Sequence, residues 1–490
     1  MNRFLYPIVV VAFVVCAVAY TALGSDGVAG PDGFFHLAYA KWLVQTYDPS
    51  SYPWMPLSIF SQIGWVDHEF LFHVVLIPFS FLGIVPGIHW AGFFFGLLAT
   101  CSFYLYIRSL DVPFSPLLCL VLLGCGVFVF RVTMARPAGL SLSLLLLGLY
   151  FVRTKRFRWV AATAFIYAWT YQISLLFLPF GLIVCFTCAP TCWRKVSLSI
   201  VGGLFAGFAL NPYSPATFDF LYYHVIYKVI NPSELPVGTE WSALGPLSIL
   251  QFTWTTWAVF AGCVGVVIWR RAKPSADTIA HLLIALLWFV ATLKAVKFVE
   301  YLVPFLLIAG GLLVRDINPN RQAKWLWPVT VLVGGFALWV ANYNHVLLEA
   351  RPTPYRYQKG MEGLCKNATE GEIVVHTAWG DFAELMAWCP KLRYMSGLDP
   401  SFMYLSHPEE FLLLQQARYG GIKVPSQDLL DKVGGQWLFV NHVNQPDLMQ
   451  YAYTDKGLQK RYIDQSIAIF WRIPPATNEQ PSSTPSDAPR

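Results

Sequence analysis

Twelve long apolar stretches place the strongest constraint on how this chain of 490 residues folds. Each is near, or slightly below, the roughly 17–25 residues that an α-helix needs to cross a bilayer. Charged residues make up only 13% of the chain, whereas a soluble domain carries about 25%. The sequence therefore predicts a polytopic α-helical membrane protein with about 10–12 transmembrane helices, solvated by membrane lipids. The stretches cover approximately residues 5–24, 69–86, 87–107, 114–131, 138–152, 159–172, 173–190, 196–210, 251–269, 277–293, 298–314 and 325–346.

The basic residues between these stretches predict the orientation of the chain. Short basic loops occur at Arg153–Arg158, Arg194–Lys195, Arg270–Lys273 and Arg315–Lys324, and such loops usually face the cytoplasm. If all twelve stretches crossed, the first of these loops would face outside. We therefore expect one stretch between residues 69 and 131 not to cross, which leaves eleven crossings. The loops 25–68 and 211–250 and the C-terminal region then face outside. No pattern typical of nucleic-acid binding is present.

The composition changes after Arg351, where a water-exposed domain is predicted to follow the transmembrane domain of residues 1–346. Alternation of apolar and polar residues predicts four strands, with helices between them. Residues 351–473 are thus expected to form a small α/β extracytoplasmic domain, and residues 474–490, rich in Pro, Ser and Thr, a disordered tail. The predicted strands are Glu372–His376, Lys391–Met395, Trp437–Asn441 and Ala468–Arg472, and the predicted helices are Phe382–Trp388 and Glu409–Ala417.

Two cysteines, Cys365 and Cys389, lie in this C-terminal domain. Two cysteines alone in one water-exposed domain favour a disulfide, and hence an oxidising compartment. The alternative is two unrelated thiols. The other eight cysteines lie in or beside apolar stretches without metal-ligand partners, where they are expected to pack as small hydrophobic side chains.

The first outer loop holds the most suggestive group of polar residues. Asp32 and His36 are four residues apart in a predicted helix that opens with a proline, so both side chains lie on one face. The run Asp67, His68 and Glu69 ends the loop, directly before the next apolar stretch. Five groups that can bind a metal or move a proton are thus expected at one membrane surface. Alternatively, Asp32 caps the helix and the other groups only mark the water boundary.

The two ends of this loop resemble motifs of the GT-C glycosyltransferases. The matching runs are Pro31-Asp-Gly-Phe-Phe-His36 and Trp65-Val-Asp-His-Glu-Phe70, and they are similar to those of bacterial proteins related to dolichyl-phosphate-mannose protein mannosyltransferases. The resemblance covers most of the chain, and it depends on the order of short motifs. Phe70 stands where the family usually has Trp, and Asp32-Gly33 replaces an Asp-Glu pair. Further matches are Arg136-Pro137, Asn211-Pro212-Tyr213, Glu240-Trp241, Gly380 and the stretch Tyr394–Tyr404.

The resemblance implies an inverting transfer from a polyprenyl-phosphate-linked sugar donor to a glycan, lipid or protein acceptor. It places the reaction on the extracytoplasmic face of a bacterial inner membrane. Asp32 is then the candidate general base or metal ligand, and Asp67 and Glu69 are the candidates for the second acidic element. These three carboxylates are the predicted ligands of a divalent metal, Mg or Mn. The missing Asp-Glu pair leaves metal dependence open.

The leaving group of such a reaction is a phosphate, and cations near the outer ends of other stretches could bind it. Arg136, Lys294 and Lys297 are candidates for binding the donor phosphate. Snorkelling towards lipid headgroups is the alternative for all three, and Lys297 could also pair with Glu300 one turn on. The predicted substrate-binding residues are Asn211, Tyr213, Glu240 and Trp241.

Two other functions fit a chain of this composition. A transporter or flippase of lipid-linked saccharides predicts charged residues midway along the spans. The apolar stretches carry few of these, which favours the enzyme. A non-catalytic membrane assembly factor predicts that Asp32 and Glu69 are dispensable.

Overall fold

The computed structural model describes residues 5–46, 48, 53–224, 236–317 and 326–474. Residues 475–490 of the predicted tail, and parts of the second outer loop and of the last basic loop, lie outside these ranges. The described part of the transmembrane domain is helical. Its helices are α1 (Leu5–Leu23), α2 (Asp32–Thr46), α3 (Phe60–Ile63), α4 (Phe70–Ser80), α5 (Ile84–Ser109), α6 (Ser115–Leu123), α7 (Gly126–Val132), α8 (Ala138–Arg153), α9 (Phe157–Ala168), α10 (Phe177–Cys188), α11 (Trp193–Ala209), α12 (Ala216–Tyr222), α13 (Pro246–Phe252), α14 (Trp254–Arg270), α15 (Ala276–Lys294), α16 (Val299–Asp316) and α17 (Leu326–Glu349).

Several of these helices are long and apolar enough to cross a membrane. Among the described residues, five meet both criteria by length and composition, namely α1, α5, α15, α16 and α17. Two bent pairs, α6 with α7 at 86° and α13 with α14 at 94°, raise the number to seven if each pair is one span. The predicted class, a polytopic helical membrane protein, is confirmed.

Polar contacts tie several helix ends together at one side of the bundle. Arg315 at the end of α16 donates to the carbonyl of Leu110, just after α5, at 3.0 Å. It also pairs with Asp277 at the start of α15 at 3.3 Å, and Asp277 pairs with Arg153 at the end of α8 at 2.8 Å. Three of the predicted basic loops adjoin these helix ends: one follows α8, one precedes α15 and one follows α16. We therefore call this side the basic end.

The short helix α4 lies at the opposite end of the bundle. There, His89 near the start of α5 bonds to the carbonyl of Ala22 near the end of α1 at 2.7 Å. Helix α4 has 11 residues and ends just before α5 begins, so it starts and finishes at this end. Its length is below the roughly 17–25 residues that a crossing helix needs, which agrees with the expectation that one stretch between residues 69 and 131 does not cross. The expected eleven crossings stay a prediction, since the described residues contain five to seven spans by length and composition.

The C-terminal domain contains a five-stranded sheet with strand order β2-β1-β3-β5-β4. Strand β1 runs parallel to β2 and β3, whereas β5 is antiparallel to β3 and β4. All four predicted strands and both predicted helices are present. The sequence did not reveal β4, because this edge strand exposes most of its side chains and lacks an apolar face. The elements are β1 (Ile373–Val375), β2 (Arg393–Tyr394), β3 (Trp437–Asn441), β4 (Leu458–Ile463), β5 (Ile467–Arg472), α18 (Gln358–Asn367), α19 (Phe382–Trp388), α20 (Pro400–Ser406), α21 (Pro408–Arg418), α22 (Asp431–Val433) and α23 (Pro446–Thr454).

The first outer loop packs into the core of this C-terminal domain. Trp54 is fully buried, and its indole nitrogen donates to the carbonyl of Pro390 at 2.5 Å. Its own carbonyl accepts from the backbone nitrogen of Tyr394 in β2 at 2.7 Å, and the backbone nitrogen of Ile59 donates to the carbonyl of Phe402 at 2.9 Å. Burying large aromatic side chains stabilises such a junction by a few kcal/mol each, about 1.5–3. The loop is therefore held between the membrane helices and the outer domain.

A disulfide joins Cys365 in α18 to Cys389, which directly follows α19. Their Cα atoms are 5.5 Å apart, within the range usual for disulfides. The bond links two helices that lie against the same sheet. The other eight cysteines are free.

Candidate active site

A cavity of about 380 Å³ lies where the two outer loops meet the outer domain. Helix α2 begins at Asp32, so Asp32 and His36 lie one turn apart and both face the cavity. The residues before α4 close the opposite wall. All five polar residues predicted from the first outer loop line this cavity: Asp32, His36, Asp67, His68 and Glu69.

A chain of hydrogen bonds runs through the buried side of this wall. One oxygen of Asp67 accepts from the backbone nitrogen of Glu69 at 2.9 Å, and the other accepts from Nδ1 of His73 at 2.7 Å. Nε2 of His73 lies 2.8 Å from Nδ1 of His36. The Asp67 carboxylate therefore orients both imidazole rings. His73 was not among the predicted site residues, because it lies inside an apolar stretch. Its spacing of four residues from Glu69 on a helix does indicate that the two side chains lie on one face.

Three side chains, those of His36, Glu69 and His73, form a group that could hold a metal ion. Their donor atoms all lie within 4.8 Å of one another. Two imidazoles and one carboxylate suit Mn²⁺ or Zn²⁺ better than Mg²⁺, which prefers oxygen donors. The Asp67 carboxylate behind His73 is the kind of outer partner that orients metal-binding histidines.

The three carboxylates predicted as metal ligands do not come together in this way. Asp32 pairs with Nε of Arg136 at 3.0 Å. Asp67 is engaged by His73, and only Glu69 belongs to the group that the structure forms. The predicted ligand set is therefore not the group that the structure brings together, because Asp32 is paired with Arg136 and Asp67 with His73.

Arg136 connects the first outer loop to the second. Its Nε binds Asp32, and its Nη2 pairs with the Glu240 carboxylate, which follows 104 residues later in the chain. All three side chains are partly buried and line the cavity. Arg136 and Glu240, the expected phosphate-binding and substrate-binding residues, thus lie together in the cavity wall.

Lys297 lies in the cavity wall with its side chain buried. Its Nζ is 3.4 Å from the centre of the Trp241 ring, a distance at which a cation is attracted by the ring face. Glu300, the proposed alternative partner of Lys297, forms its ion pair with Nε of Arg131 at 2.5 Å. Arg131 also lines the cavity, and the sequence reading missed it. Arg131 is a charged residue inside a predicted apolar stretch, and such residues often mark a functional site.

Three predicted site residues lie outside the cavity wall. Lys294 is exposed at the end of α15. The side-chain oxygen of Asn211 accepts from the backbone nitrogen of Tyr213 at 3.0 Å and closes a local turn. The Tyr213 hydroxyl is 3.1 Å from that of Tyr39, behind the wall. Contrary to their expected contacts with donor or substrate, Lys294, Asn211 and Tyr213 are thus not among the residues that line the cavity.

Burial and neighbouring charges separate the carboxylates by acidity. Burial raises the pKa of Asp32, and this outweighs the opposing effect of Arg136. Burial would also raise the pKa of Glu69, but the nearby histidines, His68 first, bring it down to about 2. Arg136 and Lys297 likewise lower the pKa of Glu240 to about 2. Asp32 is therefore the carboxylate of these three that titrates closest to neutral pH.

The outer domain supplies the wall that faces the membrane helices. Trp379 and Gly380, which follow β1, and Leu398 and Asp399, which follow β2, line the cavity. The carboxyl ends of two parallel strands thus face it, the edge at which α/β sheets usually bind ligands. Asp399 has a structural role, since its side chain accepts from the backbone of Ser401 at 2.9 Å at the start of α20.

Comparison with known proteins identifies the fold. No family model and no curated protein sequence matches the chain. A solved structure of ArnT from Cupriavidus metallidurans bound to undecaprenyl phosphate matches with a TM-score of 0.64 at 12% identity, over 96% of this chain and 98% of its own. Its apo form gives 0.63 at 12% identity, over the same shares.

An oligosaccharyltransferase from Archaeoglobus fulgidus, tethered with an acceptor peptide, matches with a TM-score of 0.56 at 9% identity. This match covers 96% of the present chain and 74% of that chain. ArnT and the oligosaccharyltransferase both belong to the GT-C superfamily. The protein therefore has the fold of the GT-C glycosyltransferases, as its first outer loop predicted.

Proposed function

We propose that the protein is a GT-C glycosyltransferase that moves a sugar from a polyprenyl-phosphate-linked donor to an acceptor. The observation that carries this proposal is the convergence of Asp32, Glu69, Arg136 and Lys297 in one cavity at a membrane end. The structures that share the fold hold undecaprenyl phosphate in one case and an acceptor peptide in the other. In this proposal the lipid-linked donor and the acceptor meet in the cavity between the membrane helices and the outer domain.

Asp32 acts as the general base in this proposal. An acceptor hydroxyl is a weak nucleophile, and a carboxylate can take its proton as it attacks the sugar carbon C1. A base works best when its pKa lies near the working pH, so the raised pKa of Asp32 suits the role better than the low pKa of Glu69. Direct attack at C1, opposite the departing phosphate, inverts the sugar configuration.

Arg136 and Lys297 stabilise the negative charge on the departing phosphate. Arg136 already binds Asp32, so a phosphate at Arg136 competes with that carboxylate and leaves it freer to accept a proton. Lys297 is buried, and its interaction with an anion is therefore less screened than on the surface. Such fixed charges in a site that excludes water are typically the largest contribution to catalysis.

A divalent metal would be held by His36, Glu69 and His73. Such an ion supplies Lewis-acid stabilisation of phosphate oxygens. Glu69 remains ionised near neutral pH and contributes the negative charge of this group. Asp67 fixes the orientation of His73 from behind.

We propose that the cavity faces outside the cytoplasm, in a bacterial inner membrane. The basic loops follow helix ends at the opposite side of the bundle, which the positive-inside rule assigns to the cytoplasm. The disulfide in the outer domain supports the same orientation, since disulfides persist in oxidising compartments. The acceptor is then a glycan, lipid or protein of the cell envelope.

The proposal is tested with the purified protein in nanodiscs, a panel of undecaprenyl-phosphate sugars and an envelope extract as acceptor. Released undecaprenyl phosphate is measured by mass spectrometry for the wild type, Asp32→Asn and Asp26→Asn. Asp26 is an exposed aspartate of the same loop that does not line the cavity, so it provides the matched control. We expect release by the wild type and Asp26→Asn, and a loss of at least about 100-fold in Asp32→Asn.

Each rival function gives a different result in this assay. Binding of a donor without release in the wild type would favour a transporter of lipid-linked saccharides. Equal release in Asp32→Asn would remove the general base from the proposal. The absence of donor binding to well-folded protein would favour a non-catalytic membrane assembly factor.

A further inference from the structure

Arg351 lies at the mouth of the cavity, where the chain leaves α17 and enters the outer domain. Its Nη1 donates to the carbonyl of Ala29 in the first outer loop at 2.7 Å. Its guanidinium carbon lies 5.0 Å from the centre of the Phe130 ring in α7. Three parts of the molecule thus hold the guanidinium in one position. An arginine has five N–H donors, and one of those of Arg351 is used by a hydrogen bond among the described residues, so the others can serve a ligand.

In the part of the chain that the structure describes, Arg351 is the arginine of the cavity wall without a carboxylate partner. Arg131 pairs with Glu300, and Arg136 pairs with Asp32 and Glu240. Within the described chain, no carboxylate oxygen lies within 4 Å of Arg351. A planar guanidinium with free donors matches the oxygens of a phosphate, which it can bind through two hydrogen bonds at once.

An exposed apolar stripe on α17 leads to Arg351. The side chains of Tyr343, Val346 and Leu347 are 54%, 56% and 44% exposed. Their spacing of three and four residues places them on one face of the helix, and Arg351 follows within a turn of its end. In a membrane this stripe faces lipid chains, so a lipid lying along it brings its head group to the level of Arg351.

We infer that Arg351 binds the phosphate of the polyprenyl-phosphate donor, while the isoprenoid chain lies along the α17 stripe of Tyr343, Val346 and Leu347. This inference rests on the proposed function, and it adds a phosphate contact that the sequence motifs did not include. Arg351 takes the place that Lys294 was expected to fill. With its phosphate bound to Arg351, the donor extends its sugar into the cavity that Asp32 lines.

Native mass spectrometry of the full-length protein tests this inference. The probes are undecaprenyl phosphate, undecaprenol, which lacks the phosphate, and phosphatidylglycerol, an ordinary anionic lipid. The variants are Arg351→Gln, Arg351→Lys and, as the matched control, Lys294→Gln, which removes an exposed cation outside the cavity. Thermal unfolding of each variant checks that it is folded.

We expect Arg351→Gln to weaken binding of undecaprenyl phosphate by about 10- to 100-fold, the loss of a charge-assisted hydrogen bond, and to leave undecaprenol unchanged. Arg351→Lys should recover part of the affinity, and Lys294→Gln should bind like the wild type. If Arg351→Gln binds undecaprenyl phosphate as tightly as the wild type does, the inference is overturned. The proposal that the donor is a polyprenyl-phosphate sugar would then still stand. An equal loss for phosphatidylglycerol would show a general headgroup site and also overturn it. No binding of undecaprenyl phosphate by the wild type would reject the donor class itself.

Discussion

Replacing Asp381 with asparagine is expected to stabilise the outer domain near neutral pH. Asp381 is buried beneath the segment that carries Trp379 and Gly380 to the cavity. Its Oδ1 accepts from the Tyr357 hydroxyl at 3.0 Å, and that hydroxyl accepts from the amide of Asn441 at 2.7 Å. An asparagine of the same shape can still accept from Tyr357, but it carries no charge to bury.

The size of the effect follows from the acidity of the Asp381 carboxyl. Burial raises its pKa from the ordinary 3.8 to about 6. Between these two values the folded domain keeps a proton that the unfolded chain has released, so stability falls as the pH rises from about 4 to about 6 and stays reduced above that. This difference between the pKa values of the unfolded and folded states corresponds to at most about 3 kcal/mol in the free energy of unfolding. Asp381→Asn should recover up to this amount at pH 7.5.

Hydrogen exchange measured by mass spectrometry on the full-length protein follows the local stability of the outer domain. After correction for intrinsic exchange, peptides from β1 and β3 should be up to about 100-fold better protected in Asp381→Asn than in the wild type at pH 7.5. The difference should shrink towards pH 4. Asp428→Asn, at an exposed position of the same domain, should match the wild type throughout. Equal protection of Asp381→Asn and wild type at pH 7.5 would refute the reasoning.

Three further predictions concern the site, the helix packing and the disulfide. Glu69→Gln should reduce undecaprenyl phosphate release by at least about 100-fold, because it removes a fixed charge from the cavity. Gly92→Ala should lower the thermal midpoint, since a Cβ there would lie 2.0 Å from the carbonyl oxygen of Thr133, whereas Gly262→Ala, with open space around it, should not. Cys389→Ser should destabilise the outer domain by about 3 kcal/mol, measured by hydrogen exchange, because the disulfide closes a loop of moderate length.

Each of these predictions has a result that contradicts it. Full release by Glu69→Gln would remove that carboxylate from the reaction. An unchanged midpoint for Gly92→Ala would mean that α5 and α7 do not approach as closely as the structure shows. Rapid alkylation of Cys389 in unreduced wild-type protein would show that the disulfide is absent in solution.

Local patterns predicted the parts of the fold that depend on neighbouring residues. The spacing of Asp32 and His36 placed both on one helix face, and the apolar run Trp437–Asn441 became a central strand with the predicted bounds. Lys294 and Lys297 show the limit of such patterns. They lie three residues apart near one helix end, yet only Lys297 turns into the cavity, because the break between α15 and α16 reverses the chain between them.

The amino-acid sequence by itself determined that this chain lies in a membrane and that the acidic ends of its first outer loop reach one surface. The hydrophobicity of the apolar stretches and the short spacings between polar residues are sufficient for these two conclusions, since both conclusions depend on local sequence. Only the tertiary structure decided that Arg136 joins Asp32 to Glu240, and that Trp54 packs against a strand more than 300 residues later. Those contacts depend on how the helices pack against one another and against the outer domain, and no local pattern records that arrangement.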